Sequence, residues 1–128
     1  MPFESVRPVT LNSQPNVAIT QRRFVIYTST GLALAGAAAE AIGVAMESFA
    51  AGGTGITNPV PVALLDGAKI EVEASAAIAV GANVGVAANG KARTAVTSDP
   101  IMGIALSAPG ADGQMMTILS ARGSRFSP

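Results

Sequence analysis

The clearest pattern in the chain is a series of short apolar strands punctuated by turn residues, densest between residues 83 and 119. Val84 to Ala88 and Lys91 to Val96 flank Asn89-Gly90. That dipeptide is the strongest short-range hairpin signal, because both central residues of the favoured tight turn take positive φ. Residues 101–106, with the sequence IMGIAL, supply a third strand after Pro100, and residues 114–120 a fourth, launched from Asp112-Gly113. Side chains alternate across a strand, so Ile101, Gly103 and Ala105 share one face while Met102, Ile104 and Leu106 share the other. Both faces are apolar, which suits the interior of a barrel or sandwich.

A fainter copy of this pattern precedes it. Phe24-Val25-Ile26-Tyr27 has the β-branched and aromatic make-up of a strand, and Ser29-Thr30-Gly31 turns the chain into Leu32-Ala33-Leu34. Residues 35–40 are nearly all Ala, which predicts a short helical turn or a tight loop. Ile42 to Met46 reads as another strand, Gly52-Gly53-Thr54-Gly55 as a loop, and Val60 to Leu65 as a strand closed by Asp66-Gly67. Gly43-Val44-Ala45-Met46 aligns with Gly103-Ile104-Ala105-Leu106, Val62 to Leu65 with Met116 to Leu119, and Gly31 with Gly90. One long helix over residues 32–51 is the alternative, given the helix propensity of Ala. A membrane span there would place Glu40 and Glu47 in hydrocarbon, and Ala drives insertion weakly. The repeat favours β structure in both halves. Between the copies, Lys69, Glu71 and Glu73 alternate with Ile70, Val72 and Ala74 as a half-exposed strand, and residues 76–82 form a turn and short crossover.

The expectation is an all-β fold: a small β-barrel or sandwich of two pseudo-repeated meanders over residues 24–122, with at most one short helix. Residues 1–23, with Pro2, Pro8 and Pro15 among Ser, Asn and Gln, read as an extended or flexible arm that β-strand addition could order on a neighbour, and 123–128 as a tail. The start lacks the basic and apolar regions of a secretory signal.

Composition narrows the chemistry. The 128 residues contain no Cys, His or Trp, which removes disulfides, thiolate ligands and the commonest proton shuttle. Apolar residues make up 49% but aromatics only 4%, so Ala, Val, Ile and Gly fill the core. Eight Lys and Arg balance eight Asp and Glu, so no global field recruits nucleic acid or anionic lipid. A charged fraction of only 12% points to association with other copies or surfaces.

Each catalytic pattern has a simpler reading. Glu71 and Glu73 would stand about 6 to 7 Å apart on one strand face, near the spacing of paired-carboxylate hydrolases, yet alternate charge is what any solvated strand face shows. Residues 85–92, GVAANGKA, fit the phosphate-loop spacing until Ala92, where a Ser or Thr should hold Mg²⁺, and strand alternation continues where a helix is required. Met115 and Met116 point to opposite faces of a strand and read as packing. No enzyme, metal site or cofactor is expected. The charges are unevenly placed, with Arg7, Arg22, Arg23, Arg122 and Arg125 near the ends and Glu40, Glu47, Asp66, Glu71 and Glu73 in the middle. The basic residues lack interleaved aromatics for base stacking, which argues against nucleic acid.

Residues 79–84 (AVGANV), 89–92 (NGKA) and 100–106 (PIMGIAL), followed by a loop into residues 115–119, resemble the small Ala- and Gly-rich capsid decoration, or cement, proteins of tailed bacteriophages. The likeness is to a group of short phage and prophage proteins described as a domain of unknown function, and it covers residues 24–119. The resemblance implies a compact β-barrel or sandwich, made in the host cytoplasm, that forms a homotrimer on the outer surface of the virion and clamps neighbouring major capsid protein subunits. The candidate capsid or subunit contacts are Phe3, Arg7, Val17, Ile19, Arg22, Arg23, Arg122, Arg125 and Phe126, with no nucleic acid or membrane partner expected. The rival reading is a small-ligand or carbohydrate-binding β module of a tail or cell-surface protein, which exposed members of Phe3, Phe24, Tyr27, Phe49 and Phe126 would favour.

Overall fold

The computed structural model of the protein describes residues 8–121, and ten strands account for nearly all the regular structure among them. They are β1 (Pro8–Asn12), β2 (Phe24–Thr28), β3 (Gly31–Leu34), β4 (Gly43–Ala45), β5 (Pro59–Leu64), β6 (Lys69–Glu73), β7 (Asn83–Val86), β8 (Ala92–Thr94), β9 (Gly103–Ala105) and β10 (Met115–Ser120). They form two antiparallel sheets, in the orders β1-β5-β4-β2-β3 and β6-β10-β9-β7-β8. The second order is the first advanced by five strands, so the chain consists of two like units in tandem.

The likeness extends to single hydrogen bonds. Gly43 and Ala45 face Leu64 and Val62 across β4 and β5, as Gly103 and Ala105 face Ser120 and Ile118 across β9 and β10. Parallel bridges at Ser13–Leu32 and Ala74–Ala92 draw the two edges of each sheet towards one another. The Arg22 and Gly81 amides donate to the carbonyls of Ala45 and Ala105, both at 2.8 Å, and both residues have positive φ. The repeat expected from sequence is therefore present, with the Gly43 and Gly103 strands in the predicted alignment. Two matches differ: register equates Gly31 with Lys91, one residue past Gly90, and Val62 with Ile118, two residues from the sequence alignment. A two-residue shift keeps every side chain on its face, which is why pattern alone does not detect it.

The predicted hairpin closes at Asn89 (φ 61°) and Gly90 (φ 76°), with a single 3-10 turn over Ala88–Gly90. Residues 35–40 form a tight loop rather than a helical turn, and β3 and β4 occupy the stretch that could have been one long helix. The sheets curl but do not close into barrels, so the architecture is the sandwich-like one of the two expected. Residues 8–23, within the segment read as an arm, run along the body. Their β1 pairs with β5 from Pro8–Ala63 to Asn12–Pro59, which puts Pro8 at the start of a strand on a sheet edge, where a missing N–H is tolerated.

Packing divides the core in two. Ile19, Val25, Leu32, Ala45, Val60 and Val62 fill the curl of the first sheet. The opposite face of that sheet, with Phe24, Val44 and Ala63, joins Val72, Val84, Ala92, Met102, Met116 and Ile118 of the second unit in the larger core. The middle of the first sheet is thus buried on both faces, while Val9 and Leu11 of β1 are half-buried and Tyr27 of β2 is exposed. The second sheet buries one face and leaves Ile104, Leu106, Met115 and Leu119 exposed on the other, where the sequence had led us to expect an apolar strand covered on both sides.

Candidate assembly surface

Glu71 and Glu73 of the β6 strand are engaged at the junction of the two units. Edge strand β6 presents Glu71 and Glu73 outward, and the turn before β2 brings Arg22 and Arg23 beside them. Arg22 Nε lies 3.2 Å from Glu71 Oε1, and Arg23 Nε 3.2 Å from Glu73 Oε1. Lys91 Nζ, delivered by the Asn89-Gly90 hairpin, sits 3.4 Å from Glu73 Oε2 and donates to Asp112 Oδ1 at 2.9 Å. The hydrogen bond to Asp112 raises the Lys91 pKa above its ordinary 10.5, with Glu73 adding to the rise and burial opposing it. The two carboxylates that matched a hydrolase spacing are therefore held in ion pairs, and the near phosphate loop is a hairpin whose lysine binds Asp112 and Glu73.

Gly90 shows why that turn carries a glycine. A Cβ there would lie 2.5 Å from the Phe24 carbonyl oxygen, so the hairpin fits against the first unit only without a side chain. Beside the junction, Arg22, Val44, Met46, Lys69, Ile70 and Glu71 are among the residues lining a half-open cleft of about 140 Å³. That is well below the volume of a typical drug-sized ligand pocket, roughly 300–1,000 Å³.

Of the nine residues singled out from sequence, four lie within the described region and pack inside the chain. Ile19 is buried, and its backbone exchanges hydrogen bonds with Phe49 at 2.9 and 2.8 Å. Val17 packs half-buried against the core of the first unit, and Arg22 and Arg23 form the ion pairs above. Phe3, Arg7, Arg122, Arg125 and Phe126 lie outside the described residues. Among the described aromatics Phe24 is buried and Phe49 partly so, which leaves Tyr27 as the exposed ring, so no sugar-stacking platform forms there.

Two features escaped the sequence reading. Asp99 is buried, receives two hydrogen bonds from Arg93 at 3.1 and 3.0 Å, and caps the Val96 amide at 3.0 Å; nothing local distinguishes it from a loop aspartate. The other is the exposed apolar face of β9 and β10, where Ile104 stands directly opposite Leu119 and Met115 and Leu106 continue the patch. Contiguous exposed apolar surface of this kind marks association sites on soluble proteins. Among the described residues, no group of three potential metal ligands stands together, and no helix is long and apolar enough to cross a membrane.

Fold and surface define a class first: an all-β scaffold of two like units, with junction charges paired internally and apolar sheet surface available for contact. The family follows from the sequence as a whole. The phage cement protein family model matches residues 5–120, and the chain belongs to that family. It is a structural protein of the phage capsid, located on the outer capsid surface of the virion. No curated protein matches the sequence. Among solved structures, the N base of the head fiber gp8.5 of bacteriophage phi29 has a similar fold, with a TM-score of 0.74 at 19% identity over 91% of this chain and 97% of that one.

Proposed function

We propose that the protein decorates the outside of the capsid as a homotrimer and bridges neighbouring major capsid protein subunits, stabilising the contacts between them. The observation that carries this reading is the cement family match over residues 5–120. A cement protein needs a rigid body and contact surfaces rather than reactive groups, and the two-unit sandwich supplies the body. Weak contacts repeated by several linked copies on a symmetric shell gain from effective concentration. The reading assigns the capsid contact to the chain ends, through Phe3, Arg7, Arg122, Arg125 and Phe126, because Val17, Ile19, Arg22 and Arg23 already have partners within the chain.

The test is occupancy on purified shells of chains lacking residues 1–7, residues 122–128, or both. These deletions spare β1, whereas removal of residues 1–17 would also strip a strand from the first sheet. The proposal expects full-length protein to saturate the shell, to raise its melting temperature, and to lose occupancy when both ends are removed. Unchanged occupancy of the doubly truncated chain would remove the ends from the contact, and failure of the full-length chain to bind would overturn the reading.

A further inference from the structure

The two units share one register but differ in what covers them, and the difference falls on two surfaces. In the first unit Phe24, Val44 and Ala63 meet across β2, β4 and β5 and are buried against the second unit. In the second unit the same register brings Asn83, Ile104 and Leu119 together across β7, β9 and β10. There Ile104 is 38% and Leu119 43% exposed.

The receiving surface is also present twice. The first unit rests on the seam where β6 approaches β8. At that seam the Glu73 amide donates to the Arg22 carbonyl at 2.7 Å, and the Arg23 guanidinium reaches the Asn89 carbonyl at 3.5 Å. Ile70, Val72 and Val86 are buried beneath it. Register makes their counterparts Val9, Leu11 and Tyr27. Val9 and Leu11 are only half-buried, and Tyr27 is 53% exposed.

Charge changes on both surfaces together. Arg22 and Arg23 of the inner junction correspond to Gly81 and Ala82, and their partners Glu71 and Glu73 correspond to Thr10 and Asn12. Joining the two exposed surfaces would therefore bury none of these charges without a partner, which is the costly outcome at an interface. Apolar counterparts remain on both sides, and they continue an interface already formed within the chain.

We infer that a second copy of this chain is the occupant. Its Ile104 and Leu119 face seats on the Val9, Leu11 and Tyr27 seam of the first copy, repeating between chains the junction made within each one. The contact joins different surfaces of the two copies, so it is heterologous and runs head to tail. It deepens the self-association in the proposed function and does not depend on capsid binding.

Cysteine cross-linking in solution, without shells, tests this directly because the chain has no cysteine of its own. Asn12 and Ala82 are the counterparts of Glu73 and Arg23, whose backbones adjoin at the inner junction. The Asn12→Cys and Ala82→Cys variants, oxidised separately, should remain single chains. Mixed together they should yield a covalent dimer, and the double variant should yield higher covalent species. Absence of cross-linking in the mixture, or efficient dimerisation of either single variant, overturns the head-to-tail contact.

Mass measurement supplies the second readout. Leu119→Glu changes an exposed side chain, so the single chain should still fold and unfold cooperatively while the wild-type oligomer falls to single-chain mass, with any fall in melting temperature limited to the lost association and absent at dilution. An unchanged mass would overturn the proposal. So would loss of the oligomer on deleting residues 1–7 or 122–128 with Leu119 intact, which would make a chain end the occupant. A wild-type monomer whose shell binding is abolished by Leu119→Glu would assign the face to the capsid and equally overturn it.

Discussion

Phe24→Ala probes the junction on which the two-unit architecture depends. Phe24 has no solvent exposure and lies on the first-sheet face that packs into the larger core. Removing a buried phenyl ring forfeits its transfer free energy and leaves a cavity, together about 3–5 kcal/mol. Nearby members of the same core include Ala35, Ala41 and Ala63, which have no rotatable side chain to swing into the space. The cost should therefore fall in the upper half of that range, about 4 kcal/mol. For a domain of this size that is roughly a 15 °C fall in melting temperature and a large part of a typical total stability of about 5–15 kcal/mol. The assay is urea unfolding with thermal melts, alongside Asn83→Ala at the equivalent position of the second unit. That control truncates a half-buried side chain and should cost about 1 kcal/mol, the usual size of a point-mutation effect. A loss below about 1 kcal/mol for Phe24→Ala, or equal losses at the two positions, would refute a junction built on Phe24.

Three further outcomes follow from the same geometry. Gly90→Ala combines a positive φ with a Cβ driven against the Phe24 carbonyl and should destabilise by more than about 2 kcal/mol; an unchanged melt would contradict the close approach. Asp99→Ala removes two charged hydrogen bonds and one to the Val96 amide and should cost about 2 kcal/mol. That is less than the loss of a fully buried pair, because Arg93 remains partly solvated. Lys91, whose pKa is raised in the folded state, contributes stability that is complete below its ordinary pKa and lost as pH rises through the folded value. Melts from about pH 9 to about pH 12 should show that loss, and Asp112→Asn should show less of it; identical profiles would exclude the Asp112 interaction as its source.

Much of the fold was legible because small local rules repeat. Asn89-Gly90 announced a hairpin through its backbone demands, and the Gly43 and Gly103 strands carried the same apolar pattern into both units. β1 was harder to read, since Pro8 and the polar Thr10 and Asn12 obscure the alternation of Val9 and Leu11 that turns one edge of the strand inward. The Arg22–Glu71 and Arg23–Glu73 pairs join segments fifty residues apart, a distance at which no periodicity relates them. IMGIAL looked like a strand buried on both faces, as its counterpart around Val44 is. Its exposed face in the single chain is the missing half of the same pattern and locates the candidate assembly surface.

The central claim, decoration of the capsid exterior, is tested most directly by a cryo-electron microscopy difference map of purified phage shells with and without added protein. The account predicts saturable density on the outer surface, over junctions between neighbouring major capsid subunits, into which the two-unit sandwich fits. Absence of added density, or density confined to the interior of the shell, would contradict it.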